Sequence, residues 1–144
     1  MDEKLIPLSL FEKLPKATAG HDVLRYISMP KILGDEKDTI LYFIGRQLAR
    51  QIEIESLDDL NYLFQTLQWG QLELVKDRRR SLLFHLMSDE LVERMMSPIE
   101  VDFRLEAGFI AEAIEKITQR SCECNEAVNQ RLYRVEFKVV YTDD

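Results

Sequence analysis

The segment LEAGFIAEAI, Leu105–Ile114, is the part of the sequence that most constrains how this chain can fold. At 100° per residue its large apolar side chains occupy a broad arc, and Ala107, Gly108 and Ala111 form a strip of small residues beside that arc. A helix that is apolar on two sides needs two contact faces. The segment therefore predicts a central helix that lies on a sheet and has a flank where another backbone approaches closely.

Gly108 has two interpretations. Glycine in a helix interior costs about 1 kcal/mol relative to alanine. Gly108 either weakens a first turn where little is lost, or it allows close packing against a neighbouring helix that offsets the cost. We favour close packing, because Gly45 and Ala49 make a similar small patch on an earlier predicted helix.

Glu106 lies inside the apolar arc and has three interpretations. Near the start of a helix, free backbone amides and the helix dipole favour a carboxylate. Glu106 can instead pair with an arginine of an earlier helix, for which Arg25, Arg46 and Arg50 are the candidates. The third interpretation is a carboxyl group of raised pKa that lines a pocket. The first two are structural roles, and we favour them.

Periodicity along the rest of the chain predicts the other elements. Helices are predicted from about Ala19 to Pro30, Asp38 to Ile52, Ser56 to Trp69, Asp89 to Met96 and Phe103 to Asn129. On the second of these helices, the buried face is predicted to comprise Leu41, Tyr42, Ile44, Leu48 and Ile52. Pro30 is expected to end or kink the first helix, and Gly34 closes that segment.

In two other parts of the sequence the apolar residues recur at about every second position, which is the period of a β-strand. Residues 71–87 carry two short apolar segments around the charged turn KDRRR, which predicts a hairpin. The last segment, YRVEFKVVY, alternates apolar and polar residues, as in a strand with one buried face. The order of elements predicts an α+β fold, in which helices cover an antiparallel sheet of three or more strands. Residues 1–17 are predicted to be a lead-in, and residues 18–144 a single domain.

Charge and composition exclude several classes of partner. The chain has 26 acidic and 19 basic residues and a net charge of −7, which disfavours non-specific binding to nucleic acid or anionic lipid. It shows no secretory leader and no apolar run of the ~20 residues that a membrane span needs. With two cysteines in the whole sequence, we expect a cytoplasmic protein.

No constellation in the sequence indicates catalysis, a metal or a cofactor. Cys122 and Cys124, taken as part of the last helix, would point about 200° apart and supply two of the four ligands of a structural zinc. His21 and His85 have no nucleophile motif beside them and are predicted to be ordinary histidines. The KDRRR turn is either solvated or a docking spot for an acidic partner or phosphate.

Four segments in order resemble the YslB-like family, small cytosolic proteins of Gram-positive bacteria that form a domain of unknown function. They are LRYISMPKILG (Leu24–Gly34), YFIGRQLAR (Tyr42–Arg50), WG (Trp69-Gly70) and LEAGFIAE (Leu105–Glu112), and the resemblance covers about Thr18 to Thr118. It implies a TRAPP-like fold, of the haem-nitric-oxide-binding and Golgi-transport ligand-binding type, shared with 4-vinyl-reductase-type domains. Several proteins of that group dimerise or hold an apolar ligand.

Two properties of those relatives do not transfer to this sequence. The haem sensors need an axial histidine on a helix, and neither His21 nor His85 is placed for that role. Some TRAPP subunits acylate a cysteine on an early helix, and the early helices here have none.

We therefore expect a non-enzymatic binding module whose partner is another protein or a second copy of itself. The alternative is a small-molecule receptor with an apolar pocket between helices and sheet. Trp69, Glu106, Gly108 and Phe109 are the candidate pocket or interface residues.

Overall fold

The computed structural model describes residues 5–143. The α-helices are α1 (Leu8–Glu12), α2 (Ala19–Asp22), α3 (Met29–Leu33), α4 (Lys37–Arg50), α5 (Leu57–Thr66), α6 (Asp89–Met96) and α7 (Arg104–Thr118). The strands are β1 (Gln71–Asp77), β2 (Ser81–Met87), β3 (Cys122–Asn129) and β4 (Arg134–Tyr141). A π-helical turn, Val23–Ser28, connects α2 to α3, and short 3-10 turns precede α2 and α4.

The four strands form one sheet in the order β1-β2-β4-β3, and every neighbouring pair is antiparallel. Alternation along the strands buries one face of the sheet. The buried side chains are Leu72, Leu82, Phe84, Leu86, Cys122, Cys124, Val135, Phe137, Val139 and Tyr141. The predicted α+β class, with helices covering an antiparallel sheet, is confirmed.

Helix α7 is the centre of the molecule, as the opening segment predicts. It packs on β3 and β4, while α4 packs along α7, and α5 packs on β1 and α7. Every residue from Glu106 to Ile114 is buried. Helix α7 thus contacts the sheet on one side and another helix on the other.

The crossing of α4 and α7 is a contact between backbones. A Cβ atom added to Gly45 would lie 2.8 Å from the amide nitrogen of Phe109 and 2.9 Å from the carbonyl carbon of Leu105. A Cβ atom added to Gly108 would lie 2.8 Å from the carbonyl carbon of Tyr42. Neither glycine has room for a side chain. Close packing, the favoured interpretation of Gly108, is confirmed.

This crossing turns α4 relative to the predicted orientation. The residues of α4 that are buried are Leu41, Gly45 and Ala49. Leu48, predicted to lie in the core, is 36% exposed, and Phe43 is 59% exposed. Leu41 is buried and Tyr42 and Ile52 pack against the core, as predicted. The prediction was wrong for Leu48, because backbone contact at Gly45 places the small residues of α4 on the inner face.

The helix predicted from Phe103 to Asn129 is confirmed as far as Thr118, and the prediction was wrong for the remainder. Helix α7 ends at Thr118, Gln119 has a left-handed backbone with φ 60°, and the chain returns as β3. Because β3 pairs with β4 along its whole length, Cys122 and Cys124 both face the core instead of pointing apart. Strand pairing outweighs local helix propensity in this segment.

The observed structure also differs from the first predicted helix: the helix was expected to end or kink at Pro30, but the chain remains helical through that residue. Pro30 lies in the first turn of α3, where its missing N–H leaves no helical hydrogen bond unmade. The π-helical turn Val23–Ser28 lies directly before α3. Gly34, with φ 66°, closes the segment as predicted.

Two helices have a serine at the N-cap, Ser56 before α5 and Ser88 before α6. Ser56 accepts a hydrogen bond from the Asp59 amide at 3.2 Å, and Ser88 accepts one from the Leu91 amide at 2.9 Å. Helix α6 has the predicted bounds, and β1 with β2 forms the predicted hairpin.

The glycine crossing predicts that Gly45→Ala and Gly108→Ala each destabilise the protein. A methyl group would force the helix backbones apart at a cost of about 3 kcal/mol, of which the better helix propensity of alanine returns about 1 kcal/mol. Urea unfolding should show a net loss of about 2 kcal/mol for each variant.

Gly20→Ala is the matched control, because Gly20 is helical and a Cβ atom there would meet nothing within 4 Å. Its stability should be unchanged or slightly raised. A Gly45→Ala protein as stable as the Gly20→Ala protein would contradict the backbone contact.

Candidate functional site

The four candidate residues do not form one site. Trp69 and Phe109 contact each other, with ring centroids 5.3 Å apart and ring planes at 89°. Phe64 packs edge-to-face on both rings, at 5.1 Å from Trp69 and 6.0 Å from Phe109. Phe64 and Phe109 are completely buried, so these three rings fill the space between α5 and α7. Gly108 contacts Tyr42, and Glu106 contacts Arg25.

Glu106 is part of a buried ion-pair cluster. Arg25 Nη2 donates to Glu106 Oε1 at 2.9 Å and to Asp102 Oδ1 at 3.0 Å. Arg25 and Glu106 are each only 4% exposed. Pairing with an arginine is thus confirmed, and Arg25 is the partner. Glu106 also lies in the first turn of α7, so the first interpretation holds alongside the second.

Burial has the largest effect on the pKa of the Glu106 carboxyl group. Desolvation raises the pKa of its carboxyl above the ordinary 4.5, and the charge of Arg25 opposes that rise only in part. The pKa of Arg25 is itself raised, since burial disfavours its charge but Glu106 and its other neighbours favour it. Arg25 Nε is buried without a hydrogen-bond partner in the described chain. The cluster thus keeps a full cation in the protein interior.

A second buried ion pair joins α2 to α6. Arg94 Nε donates to Asp22 Oδ1 at 2.9 Å, and Arg94 Nη2 donates to the Thr18 hydroxyl at 3.1 Å. His21 Nδ1 also lies 3.1 Å from Asp22 Oδ1. Burial alone would raise the pKa of Asp22, but His21, Arg94 and Thr18 together lower it below its ordinary value. Sequence analysis missed this pair, since Arg94 lies on an amphipathic helix where a solvated arginine is the ordinary expectation.

Side chains of α4 and α7 cover the start of the edge strand β3. The Cys122 amide donates to Glu115 Oε2 at 3.2 Å, and Arg46 Nη2 donates to the Cys122 carbonyl oxygen. The Cys124 amide donates to the Tyr42 hydroxyl at 3.0 Å. These bonds satisfy backbone groups that would otherwise be open to pairing with another chain.

The two cysteines are free and buried on the inner face of β3. Burial raises the pKa of the Cys122 thiol to about 12 and that of Cys124 well above its ordinary value. Both are therefore neutral thiols at physiological pH, and the thiolate is the form that reacts or binds metal.

An open groove of about 660 Å³ lies between the end of α5, the start of α6 and the β3–β4 turn. Its lining is polar and apolar in similar measure: Gln65, Gln68, Gly70, Gln71, Met87, Ser88, Asp89, Glu90, Val92, Leu132 and Tyr133. Three of these have a positive φ: Gln68 at 61°, Gly70 at 131° and Tyr133 at 51°. Trp69, Phe109 and Glu106 do not line this groove, and sequence analysis did not predict it.

The outward side of α4 is a further surface that sequence analysis missed. Phe43 is 59% exposed and Leu48 is 36% exposed, and Ile40 and Ile44 between them are half-buried. We call these four residues the α4 outer face. The available signal was that α4 has both a strip of small residues and a strip of large ones, and only one of them can face α7.

The described chain shows neither a metal centre nor a membrane span. Nowhere in residues 5–143 do three His, Cys, Asp or Glu side chains come together as possible metal ligands. None of the helices there has the length and apolar character that crossing a bilayer takes.

The Arg25 cluster predicts a marked asymmetry between two substitutions. Arg25→Met leaves Glu106 and Asp102 without their cation and should cost about 3–5 kcal/mol at pH 7. Glu106→Gln keeps a hydrogen-bond acceptor for Arg25, and Asp102 keeps a counter-charge, so the loss should be about 1 kcal/mol. Urea unfolding at neutral pH measures both losses.

The dependence on pH provides the control for this assignment. Because the pKa of Glu106 is raised in the folded protein, its contribution to stability is complete below 4.5 and declines as the pH rises through the folded pKa. Glu106→Gln should remove that decline. Equal losses for Arg25→Met and Glu106→Gln, or an unchanged pH profile, would refute the account of this cluster.

Comparison with known proteins identifies the family and the fold. A family model described as a protein of unknown function, DUF2507, matches residues 18–140. The chain is 32% identical over 120 residues to the uncharacterized protein YslB of Bacillus subtilis, covering 83% of this chain and 81% of YslB. It is 21% identical over 101 residues to the uncharacterized protein MJ1642 of Methanocaldococcus jannaschii, covering 69% of this chain and 61% of that protein.

The structure is similar to the crystal structure of a vinyl-4-reductase family protein from Methanocaldococcus jannaschii. The TM-score is 0.61 at 22% sequence identity, over 99% of this chain and 85% of the other. At that identity the similarity shows a shared fold and nothing about activity. With the family match over residues 18–140 and the identity to YslB, the chain belongs to the DUF2507 family of YslB-like proteins.

Proposed function

We propose that this protein is a non-enzymatic interaction module of the cytoplasm, which forms a homodimer through the α4 outer face. The observation that carries the proposal is the exposure of Phe43, at 59%, on a helix whose other side is fixed against α7. Exposed large apolar side chains grouped on one helix face are typical of protein–protein contacts.

The pattern along α4 favours a second copy of the chain as the partner. A two-fold axis through Ile44 would place the two α4 helices antiparallel, with Ile40 of one copy opposite Leu48 of the other. Ile44 would then meet its own copy at the centre of the contact, and the apolar side chains of the α4 outer face would pack against one another along it.

The buried carboxylates are all held in ion pairs, which supports a role other than catalysis. Asp22, Glu106 and Glu112 are all buried and each is held by an arginine, at 2.9, 2.9 and 3.0 Å respectively. The two thiols are neutral and face the core. A catalytic site needs a nucleophile, a base and an orienting group that converge on open space. Free cysteines also fit a reducing compartment.

A small-molecule receptor is the second candidate function. The groove of about 660 Å³ favours it, because that volume falls in the range of ordinary ligand pockets. Its three glutamines, Gln65, Gln68 and Gln71, would suit a ligand with hydrogen-bonding groups. Native mass spectrometry of protein purified from its own host would detect a retained ligand.

Self-association predicts that Phe43→Glu abolishes the dimer. Because Phe43 is exposed, the substitution should leave the fold intact and place two charges inside the contact. Sedimentation velocity over a range of concentrations should show a monomer for Phe43→Glu and a concentration-dependent dimer for the natural sequence.

Tyr62→Glu on α5 is the matched control, since Tyr62 is an aromatic residue exposed to 66%. It should dimerise like the natural protein. A natural protein that stays monomeric at every concentration, or a dimer weakened equally by Phe43→Glu and Tyr62→Glu, would refute the proposal.

A further inference from the structure

A basic hollow lies on the sheet face that is turned away from the helices. Its volume is about 340 Å³, and it is lined by Lys76, Arg78, Ser81, Leu82, Leu83, Glu136 and Lys138. Lys76, Arg78 and Lys138 are all exposed. Arg79 and Arg80 follow in the β1–β2 turn and line a separate hollow with Arg120 and Asp143.

A β-bulge directs Lys76 into the hollow. Leu72 and Leu74 point toward the core, and strict alternation would send Lys76 the same way. The register shifts between Leu74 and Lys76, so that Leu74 pairs with Phe84 and Lys76 pairs with the next residue, Leu83. Val75 is the extra residue, and it turns Lys76 to the outer face.

The bulge completes a cross-strand row on that face. Leu83 pairs with Lys76 on one side and with Lys138 on the other. An apolar side chain therefore lies between two lysines, and Val140, 38% exposed, lies near them on β4.

The cations of the hollow are not neutralised by the protein itself. Within residues 5–143, none of Lys76, Arg78 and Lys138 forms an ion pair. Glu136 lines the hollow but is engaged elsewhere, 3.4 Å from His85 Nε2 and 3.7 Å from Arg134 Nη2.

The remaining acid of the turn segment also lies apart from these cations. Asp77 pairs with Leu82, whose side chain is buried, so Asp77 belongs to the opposite face of the sheet. In a chain with a net charge of −7, this leaves a local concentration of unpaired positive charge.

We infer that the basic hollow binds a short acidic segment of a partner protein, with apolar residues between its carboxylates. The two lysines and Arg78 would contact the carboxylates, and Leu83 and Val140 would contact the apolar residues. This inference goes beyond the proposed dimer and uses a different surface.

The overall charge favours a peptide over a larger polyanion. Exposed charges interact over about 10 Å at 0.1 M salt, so a short segment experiences the hollow alone. A nucleic acid or a membrane surface would extend past the hollow onto a molecule whose remaining charge is strongly negative.

The test is a titration of the protein with a fluorescein-labelled peptide of repeated Glu-Glu-Leu units, followed by fluorescence anisotropy at about 0.1 M salt. A peptide with Gln in place of Glu is the matched probe. The double variant Arg78→Glu, Lys138→Glu should bind the acidic peptide at least roughly tenfold more weakly, because each reversal replaces attraction by repulsion. The Gln peptide should bind neither protein.

The control variant Lys13→Glu, Lys16→Glu makes the same change in net charge at exposed positions far from the hollow in sequence. It should bind the acidic peptide within about twofold of the natural protein. Circular dichroism should show that both double variants are folded, as expected for substitutions at exposed positions.

Three results would overturn the inference. The first is the absence of saturable binding of the acidic peptide. The second is an equal loss in the hollow variant and the control variant, which would assign the binding to net charge. The third is tighter binding of phosphatidylglycerol vesicles, a single-stranded oligonucleotide or inorganic phosphate than of the peptide, with the same dependence on Arg78 and Lys138.

Discussion

The rest of the structure depends on the contact between the backbones of α4 and α7. Gly45 and Gly108 allow the two helices to approach until peptide groups touch, and α7 then lies between α4 and the sheet. Because only a small residue fits at such a crossing, Gly45 turns inward, with Leu41 and Ala49 on the same side, and Phe43 and Leu48 turn outward. The exposed face that we propose as the dimer contact is therefore a geometric consequence of the packing inside.

Arginines hold the helices around that crossing. Arg46 of α4 binds Glu112 and Glu115 of α7, each at 3.0 Å, and Arg25 of the π-helical turn binds Glu106 at the start of α7. Buried pairs of this kind add little net stability, but they strongly penalise any arrangement that separates the partners. They thus specify how α4 and the amino-terminal helices sit on α7, while apolar burial supplies the driving force.

Sequence patterns predicted the elements whose own periodicity agrees with their surroundings. The hairpin, α6, the last strand and the role of Gly108 in close packing follow from local pattern and the small-residue strip. The errors occur in elements whose conformation or orientation is determined by a segment remote in sequence. Residues 122–129 form a strand because β4 pairs with them, and the orientation of α4 is set by its contact with Gly108 on α7. Of the candidate residues, Trp69 and Phe109 contact each other, whereas Glu106 and Gly108 belong to other contacts. The groove, the bulge at Val75 and the Asp22–Arg94 pair arise from tertiary contacts that a single sequence does not display.

The most direct test of the central claim is a disulfide formed across the proposed two-fold axis. An Ile44→Cys protein in mild oxidant should form a covalent dimer, because a residue on the axis meets its own copy and the two native thiols are buried. A Tyr62→Cys protein is the control and should cross-link far more slowly, since it lies on α5. Rapid covalent dimerisation of Ile44→Cys alone is the result that the account predicts. Equal rates for the two proteins, or no dimer with Ile44→Cys, would contradict it.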